Sequence, residues 1–405
     1  MNKALEVLKE RGFFQQCTDV EGLSALMDKG PVTFYVGCDP TGPSLHIGHM
    51  VPFFALRHLR AMGHHGIALV GGGTARIGDP SGKTEMRKML SYETLDENTK
   101  CITAQLDRFI GFDGNEAFSV NNKDWLADLN YIDFLREIGS QFSVNKMLTF
   151  ESYRKRMETG LSFIEFNYQL LQSFDYLNLH KKYNACLQIG GDDQWGNIVA
   201  GIDLIRRLTG DEAFGLTFPL VTRADGQKMG KSEKGAIFLD PELTPVYDFF
   251  QYWRNVNDPD VEKFFKLFTF LSLEEISQIC GGNINEAKER LAWEVTALIH
   301  GKEEADKALS GARAAFSGGG NKENMPSVEI AREDFEKGIL ITELFFRALG
   351  GTKSDARRLI EQGGAVVADQ NIRDVKAVID ASVLDQDGEV VVRGGKKKFV
   401  RVITK

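Results

Sequence analysis

Residues 31–49 read PVTFYVGCDPTGPSLHIGH, and the change of character along them decides the fold. Val32 to Val36 have the β-branched and aromatic composition of a buried strand. Gly42 and Pro43 punctuate a turn, and a helix is expected to begin near His46. Strand composition returns in GIALVG (66–71) and NACLQIG (184–190), with helix-like segments at 47–62 and 97–111. Strand, Gly-rich turn and helix in repetition predict an α/β fold, a parallel sheet joined by crossover helices. In such sheets ligands bind beyond the carboxyl ends of the strands. The polar stretches of this chain are expected at those ends.

Outward from that core the pattern changes near residue 224. Residues 245–316 are rich in helix formers, as in DVEKFFKLFTFL and NEAKERLAWEVTALIHG. A run of Ser, Gly and Asn, SGGGNKENMPS (317–327), reads as a flexible connection. Beyond it come a helix signal, TKSDARRLIEQGG, and then AVVADQNI. The final stretch, GEVVVRGGKKKFVRVI, reads as a hairpin with a Gly-Gly turn. The expected division is 1–223 α/β, 224–320 helical, 321–329 linker and 330–405 small α+β.

A chain of 405 residues suits two or three domains. No apolar run is long enough to span a bilayer, and the start, MNKALEVLKERG, is polar and unlike a signal peptide. The five cysteines are scattered without a CxxC pair, which suits a reducing cytoplasm and argues against a zinc site. The net charge is −8, and it is unevenly spread. Residues 353–405 hold 11 Lys/Arg and 8 Asp/Glu, a balance of +3. Taken from totals of 49 and 57, this leaves 38 and 49, or −11, for residues 1–352. A basic tail on an acidic body is compatible with a local RNA contact.

His46 and His49 are three apart, so on a helix they share a face. At a helix N-terminus two imidazoles suit a polyphosphate. Lys228 and Lys231, in KMGKS, lie in a polar stretch that reads as a phosphate-closing loop. In EFNYQLLQSFDYLNL, Tyr168, Gln172 and Asp175 stand at i, i+4 and i+7, one helical face of a largely apolar segment. Polar groups on a buried helix need partners. No carboxylate cluster resembles a metal cage, so the metal expectation for the protein itself is none.

HIGH together with KMGKS resembles the class I aminoacyl-tRNA synthetases, whose second motif is KMSKS. Here Gly230 stands where that pattern has serine. Nearly the whole chain is similar to the bacterial tyrosyl branch of that family, most specifically through YVGCDPTGPSLHIGH, GGGTARIGDPSGK, SVNKML and LQIGGDDQWGN. The family usually has GGSDQ, so Asp192 departs from it. The resemblance implies a Rossmann-like catalytic domain, a helical anticodon-binding domain and a C-terminal S4-like RNA-binding domain. It also implies a homodimer whose contact lies in residues 130–165.

The same resemblance implies the roles of residues. Tyr35 and Asp175 would bind a tyrosine phenol, and Asp79, Tyr168 and Gln172 its α-ammonium group, with Gln188 in the surrounding network. Thr41 and His46 would meet the departing pyrophosphate and His49 would lie near the ribose. Lys83, Arg87, Lys228 and Lys231 would act on loops in the transition state. ATP contacts would come from Gly37, Cys38, Asp39, His46, Gly48, His49, Gly191, Asp193, Gln194 and Lys231. ATP and Mg²⁺ would be required. Lys353, Arg357 and Arg358 would meet RNA phosphates of tRNA(Tyr). The rival readings are a tryptophanyl synthetase, a nucleotidylyltransferase using HIGH without tRNA, and an RNA-binding protein that kept the fold. Tyr35, DPSGK and the Tyr168/Gln172/Asp175 face favour tyrosine.

Overall fold

The structure is a computed structural model. It describes residues 1–81, 89–224, 226, 229–232, 235–317, 326–395 and 398–405, and for 231, 232 and 315–317 the backbone only. The described chain falls into two compact units, residues 1–244 with 257–284 and residues 245–256 with 285–405.

The first unit opens with α1 (Lys3–Arg11), β1 (Gln16–Cys17), α2 (Val20–Lys29) and β2 (Thr33–Cys38). A 3-10 turn over Ile47–Met50 leads into α3 (Val51–Ala61), then β3 (His65–Val70), α4 (Tyr92–Ile110) and β4 (Ala117–Asn121). A run of shorter helices follows: α5 (Lys123–Leu126), α6 (Tyr131–Glu137), α7 (Val144–Met147) and α8 (Glu151–Thr159). Next come α9 (Phe163–Tyr183), β5 (Ala185–Gly191), α10 (Trp195–Thr209) and β6 (Phe214–Phe218). The short strands β7 (Lys231–Ser232) and β8 (Gly235–Ala236) form a separate hairpin.

The sheet order is β1-β6-β5-β2-β3-β4. Only the edge strand β1 is antiparallel to its neighbour. The chain leaves β2 towards β3 and β4, and later returns to its other side with β5 and β6. The switch between β2 and β5 therefore opens a crevice at their carboxyl ends. Side chains alternate across β2. Phe34 and Leu56 of α3 both close over Gly66 of β3, while the Tyr35 ring meets Tyr176 of α9 with centroids 5.1 Å apart. The two helices thus cover opposite faces. Each fully buried Phe or Leu there contributes about 1.5–3 kcal/mol.

The contacts redraw the expected domain division. Residues 257–284, read as part of a helical domain over 224–320, group with the first unit. They carry α12 (Val261–Phe268) and α13 (Leu273–Cys280), while α11 (Val246–Arg254) belongs to the second unit. The reason is a shared interior. Arg11 donates to the carbonyl oxygens of Lys266, Thr269 and Leu271, and Phe54 packs on Phe268 and Phe270.

The second unit also holds α14 (Ile284–His300) and α15 (Lys302–Ser317). Glu289 there draws in both Arg254 and Arg313. After β9 (Ser327–Ile330) come α16 (Arg332–Lys337), β10 (Ile339–Leu340), α17 (Ile341–Leu349) and α18 (Lys353–Glu361). The strands β11 (Ala365–Val367), β12 (Gln370–Ile372), β13 (Val378–Ile379), β14 (Glu389–Gly394) and β15 (Lys398–Thr404) complete it. The expected final hairpin is β14 and β15, paired antiparallel. Most of the expected linker lies outside the described residues, but its end does not behave as a linker. Ser327 to Ile330 pair in parallel with β15, because the edge of that strand offers them a ladder. A core of its own, including Phe335, Phe345, Ile360 and Val392, lies beneath this sheet.

Candidate functional site

The site is built where β2, β5 and α9 meet. Helix α9 starts in a capping box, in which Ser162 accepts from the Glu165 backbone and Glu165 accepts from the Ser162 backbone. Glu165 is also gripped by Arg156, through two nitrogens at 3.0 Å, with both side chains almost fully buried. That buried pair, together with the Tyr153 hydroxyl donating to Phe166, fixes how α9 enters the core. The face carrying Tyr168, Gln172 and Asp175 is thereby turned towards the crevice.

At the deep end Asp175 is 2% exposed. Its two oxygens accept from Asn122 Nδ2 at 2.9 Å and Trp125 Nε1 at 2.7 Å. Burial pushes its carboxyl up to about 8; the two hydrogen bonds oppose this and the charge of Asp39 adds to it. The Tyr35 hydroxyl is buried nearby with no partner among the described residues, and burial followed by the Asp175 charge raises its pKa well above the usual phenol value. Gln188 sits beside Tyr35 in the β2–β5 ladder, and its Oε1 is likewise buried without a partner among the described residues. A fixed acceptor beside two unspent polar groups suits a ligand hydroxyl.

Nearer the mouth, Tyr168 donates to Asp39 Oδ2 at 3.0 Å, and Thr74 donates to Asp39 Oδ1 at 2.7 Å. Asp79 accepts from the Ser81 backbone and from Gln194 Nε2, both at 2.8 Å. Burial raises the Tyr168 phenol well above its usual pKa, and Asp39 and Asp79 add to the shift. Two carboxylates converging on one buried phenol make this end attractive to a cation. Asp39, expected among the ATP contacts, gives its carboxylate to the Tyr168–Thr74 network between the two ends. Gly71 is required beside it, since a Cβ there would fall 2.0 Å from Asp39 Oδ1.

At the end of β2, Gly37 is exposed and Cys38 half-buried, with its thiol pushed up to about 12 by burial and then by Asp39. Thr41 is exposed in the following turn, and its backbone N–H donates to Asp39. The rings of His46 and His49 stack with centroids 3.6 Å apart. Gly48 lies between them in sequence, and a Cβ on it would fall 2.9 Å from the Met229 carbonyl oxygen. The stretch 45–47 pairs with 237–239: Ile47 donates to Ile237, and Leu239 donates to Leu45. The two motifs are thus brought together by backbone hydrogen bonds. Gly230 has φ +83°, and a Cβ on it would lie 3.0 Å from the Gly48 nitrogen. That accounts for glycine in place of serine in KMGKS.

Gly191 closes β5, and a short turn over Asp192–Gln194 follows. Asp192 accepts from Gln16 and Thr217, so its carboxylate ties the turn to β1 and β6. This gives the departure from GGSDQ a physical role in holding Asp193 and Gln194. The structure therefore gathers Tyr35, Asp39, Asp79, Tyr168, Gln172, Asp175, Gln188 and Gln194 around one crevice. Lys83, Arg87 and Lys228 lie outside the described residues, and for Lys231 only the backbone, in β7, is described. Lys353, Arg357 and Arg358 lie on α18 of the second unit, each exposed and ion-paired to a nearby acid. Sequence reasoning missed Asn122, Trp125, Thr74 and Asn197. Their signals are weak, because Asn and Trp in SVNNKDW look like any loop-to-helix junction.

Residues 27–317 match the family model described as tRNA synthetases class I (W and Y). The chain belongs to this family. It is 68% identical over 404 residues to the tyrosine–tRNA ligase of Treponema denticola, and 63% identical over 405 residues to that of Treponema pallidum. The first alignment covers all of both chains, and the second covers all of this chain and 99% of the relative. Among solved structures it resembles the C-terminally truncated mitochondrial tyrosyl-tRNA synthetase of Aspergillus nidulans. That match has a TM-score of 0.69 and 31% identity, and covers 77% of this chain and 94% of the other. A tryptophanyl-tRNA synthetase from Encephalitozoon cuniculi shares the fold at 15% identity and TM-score 0.57, covering 76% of this chain and 88% of the other. As a member of this class, the chain uses ATP. No helix among the described residues is long and apolar enough to cross a membrane.

Proposed function

We propose that the chain activates L-tyrosine with ATP, forming tyrosyl-adenylate and pyrophosphate, and passes the tyrosyl group to the 3′ end of tRNA(Tyr). The observation that carries this is the phenol end of the crevice. There Asp175, held by Asn122 and Trp125, faces an unspent Tyr35 hydroxyl in a buried setting. A site built to bond a ligand hydroxyl rejects the analogue lacking it, a rule for which this enzyme class is itself the standard illustration.

In the reaction the tyrosine carboxylate attacks the α-phosphate and the bond to pyrophosphate breaks. The protein supplies position and charge, not a nucleophile. Asp79, Tyr168 and Gln172 hold the ammonium group, with Gln194 near the carboxylate. Gly37, Cys38, Asp39, Gly48, Gly191 and Asp193 frame the nucleotide. Thr41, His46 and His49, with Lys83, Arg87, Lys228 and Lys231 from the loops, offset charge growing on the phosphates. Mg²⁺ fits as a companion of the ATP phosphates, where it would share their charge. Among the described residues no group of three His, Cys, Asp or Glu could hold it alone.

Two further parts complete the reading. Lys353, Arg357 and Arg358 form an exposed basic face for RNA phosphates. The homodimer contact is placed in residues 130–165, supported by the exposed apolar side chains of Tyr131, Ile132, Val144, Met157 and Phe163. The cytoplasm is the expected compartment.

The test is amino-acid-dependent ATP–pyrophosphate exchange with each standard amino acid in turn. Exchange with tyrosine is expected. Exchange with tryptophan instead would keep the fold and overturn the pocket reading. No exchange by folded protein with Mg²⁺ present would overturn the activation step.

A further inference from the structure

Asn197 ends the stretch GGDDQWGN and stands in the first turn of α10, 4% exposed. Its side-chain nitrogen approaches three acceptors: Gln172 Oε1 at 3.0 Å, Gln194 Oε1 at 3.2 Å and Ser81 Oγ at 3.4 Å. An amide nitrogen carries only two hydrogens, and the two shortest approaches are to the glutamine carbonyls.

That arrangement has a chemical consequence. The two ends of a glutamine amide have nearly the same shape and opposite hydrogen-bonding character. Which end faces which way is set by its partners. A donor at Asn197 requires both glutamines to turn their oxygens towards it. For Gln194 this leaves the NH₂ end for Asp79 Oδ2, at 2.8 Å. Donation then runs in one direction, from Asn197 to Gln194 to Asp79. For Gln172 it fixes the carbonyl, whose second lone pair remains for a ligand. Without the donor, Gln172 is free to present its NH₂ end, which repels a cation.

We propose that Asn197 is a positioning residue that sets the amide orientations of Gln172 and Gln194, and so keeps the amino-acid end of the crevice lined by acceptors for an α-ammonium group. The inference rests on the reading of Asp79, Tyr168 and Gln172 as the ammonium site. It assigns a role to a residue that touches none of the reacting atoms.

The experiment compares inhibition of tyrosine-dependent ATP–pyrophosphate exchange by tyramine, which has the ammonium group, and by 3-(4-hydroxyphenyl)propionate, which lacks it. In Asn197→Ala the Ki of tyramine is expected to rise about tenfold, the worth of one well-made hydrogen bond to a charged group. The Ki of the propionate rises less, because Asp79 still holds the NH₂ end of Gln194, and the KM for ATP stays within about twofold. The KM for tyrosine rises while kcat changes little. In a Gln172→Glu background the carboxylate has no amide to misorient, so adding Asn197→Ala raises the tyramine Ki by less than it does in the parent, the remainder passing through Gln194. Equal shifts for both inhibitors, or an undiminished effect in the Gln172→Glu background, would overturn the proposal. If Gln172→Ala itself leaves the preference for tyramine intact, the ammonium reading falls first. If Gln172→Ala abolishes it and Asn197→Ala does not, only the present inference falls. Should the alanine variant not fold, Asn197→Ser, which keeps one donor, carries the same comparison.

Discussion

Replacing Tyr35 with Phe separates what the crevice does for the ligand from what it does for the fold. The hydroxyl is buried with no partner among the described residues, while the ring packs on Tyr176 at 5.1 Å between centroids. Phenylalanine keeps that packing and removes only the oxygen. A buried polar group left unmade costs about 1–3 kcal/mol, so ligand-free Tyr35→Phe is expected to be more stable than the parent by up to that amount. At about 2–4 °C per kcal/mol for a unit of this size class, the gain reads as a Tm rise of a few degrees. Binding moves the other way. One neutral hydrogen bond to the tyrosine phenol is lost, worth about 0.5–1.5 kcal/mol, or roughly 2–13-fold in kcat/KM for tyrosine. Activation of phenylalanine loses nothing and gains from the drier pocket, so the tyrosine-to-phenylalanine ratio falls by at least that factor. Differential scanning fluorimetry without ligand and exchange assays with both amino acids measure the two halves. A lower ligand-free Tm, or an unchanged ratio, contradicts the account of an unspent hydroxyl kept for the substrate.

Other outcomes follow from the same structure. Asp175 is held near 8 in the folded chain against about 3.9 unfolded, so the folded state binds more protons in between. Stability should fall as pH climbs from about 4 to about 8 and level off above, and in Asp175→Asn the Tm difference from the parent should shift in the variant's favour over that window; a pH-independent difference would count against the shift. Arg156→Met strands Glu165 in a buried position and should cost about 3–5 kcal/mol in denaturant unfolding, with Arg156→Met/Glu165→Gln costing less than the sum of the single changes. Gly230→Ser places a Cβ at φ +83° and 3.0 Å from the Gly48 nitrogen, a cost of about 1–2 kcal/mol, so exchange should slow several-fold with the KM for tyrosine little changed. Deleting 330–405 should weaken tRNA charging and spare adenylate formation, and equal loss of both would argue against a separate RNA role.

Much of the first unit is legible in the linear chain because its signals are local. The strands around Tyr35, Ile67 and Leu187 show their composition, and the helix from Phe163 to Tyr183 shows its polar face. HIGH and KMGKS stand out because their residue types are unusual in that order. The partners of those residues are not legible. Nothing in SVNNKDW announces that Asn122 and Trp125 will clasp Asp175. Nor does the helix-rich stretch after 224 show that Phe268 and Phe270 will pack on Phe54 and leave the second unit without them.

The linear chain by itself determined the class of fold, the motifs and the residue types at each end of the crevice, since periodicity and turn chemistry act between near neighbours. Only the tertiary structure decided which polar groups are spent and which remain for a ligand. That decision turns on distances between residues far apart in sequence, such as Asn197 to Gln172 or Gly230 to Gly48, and on burial, which turns an ordinary carboxyl at Asp175 into one held near 8.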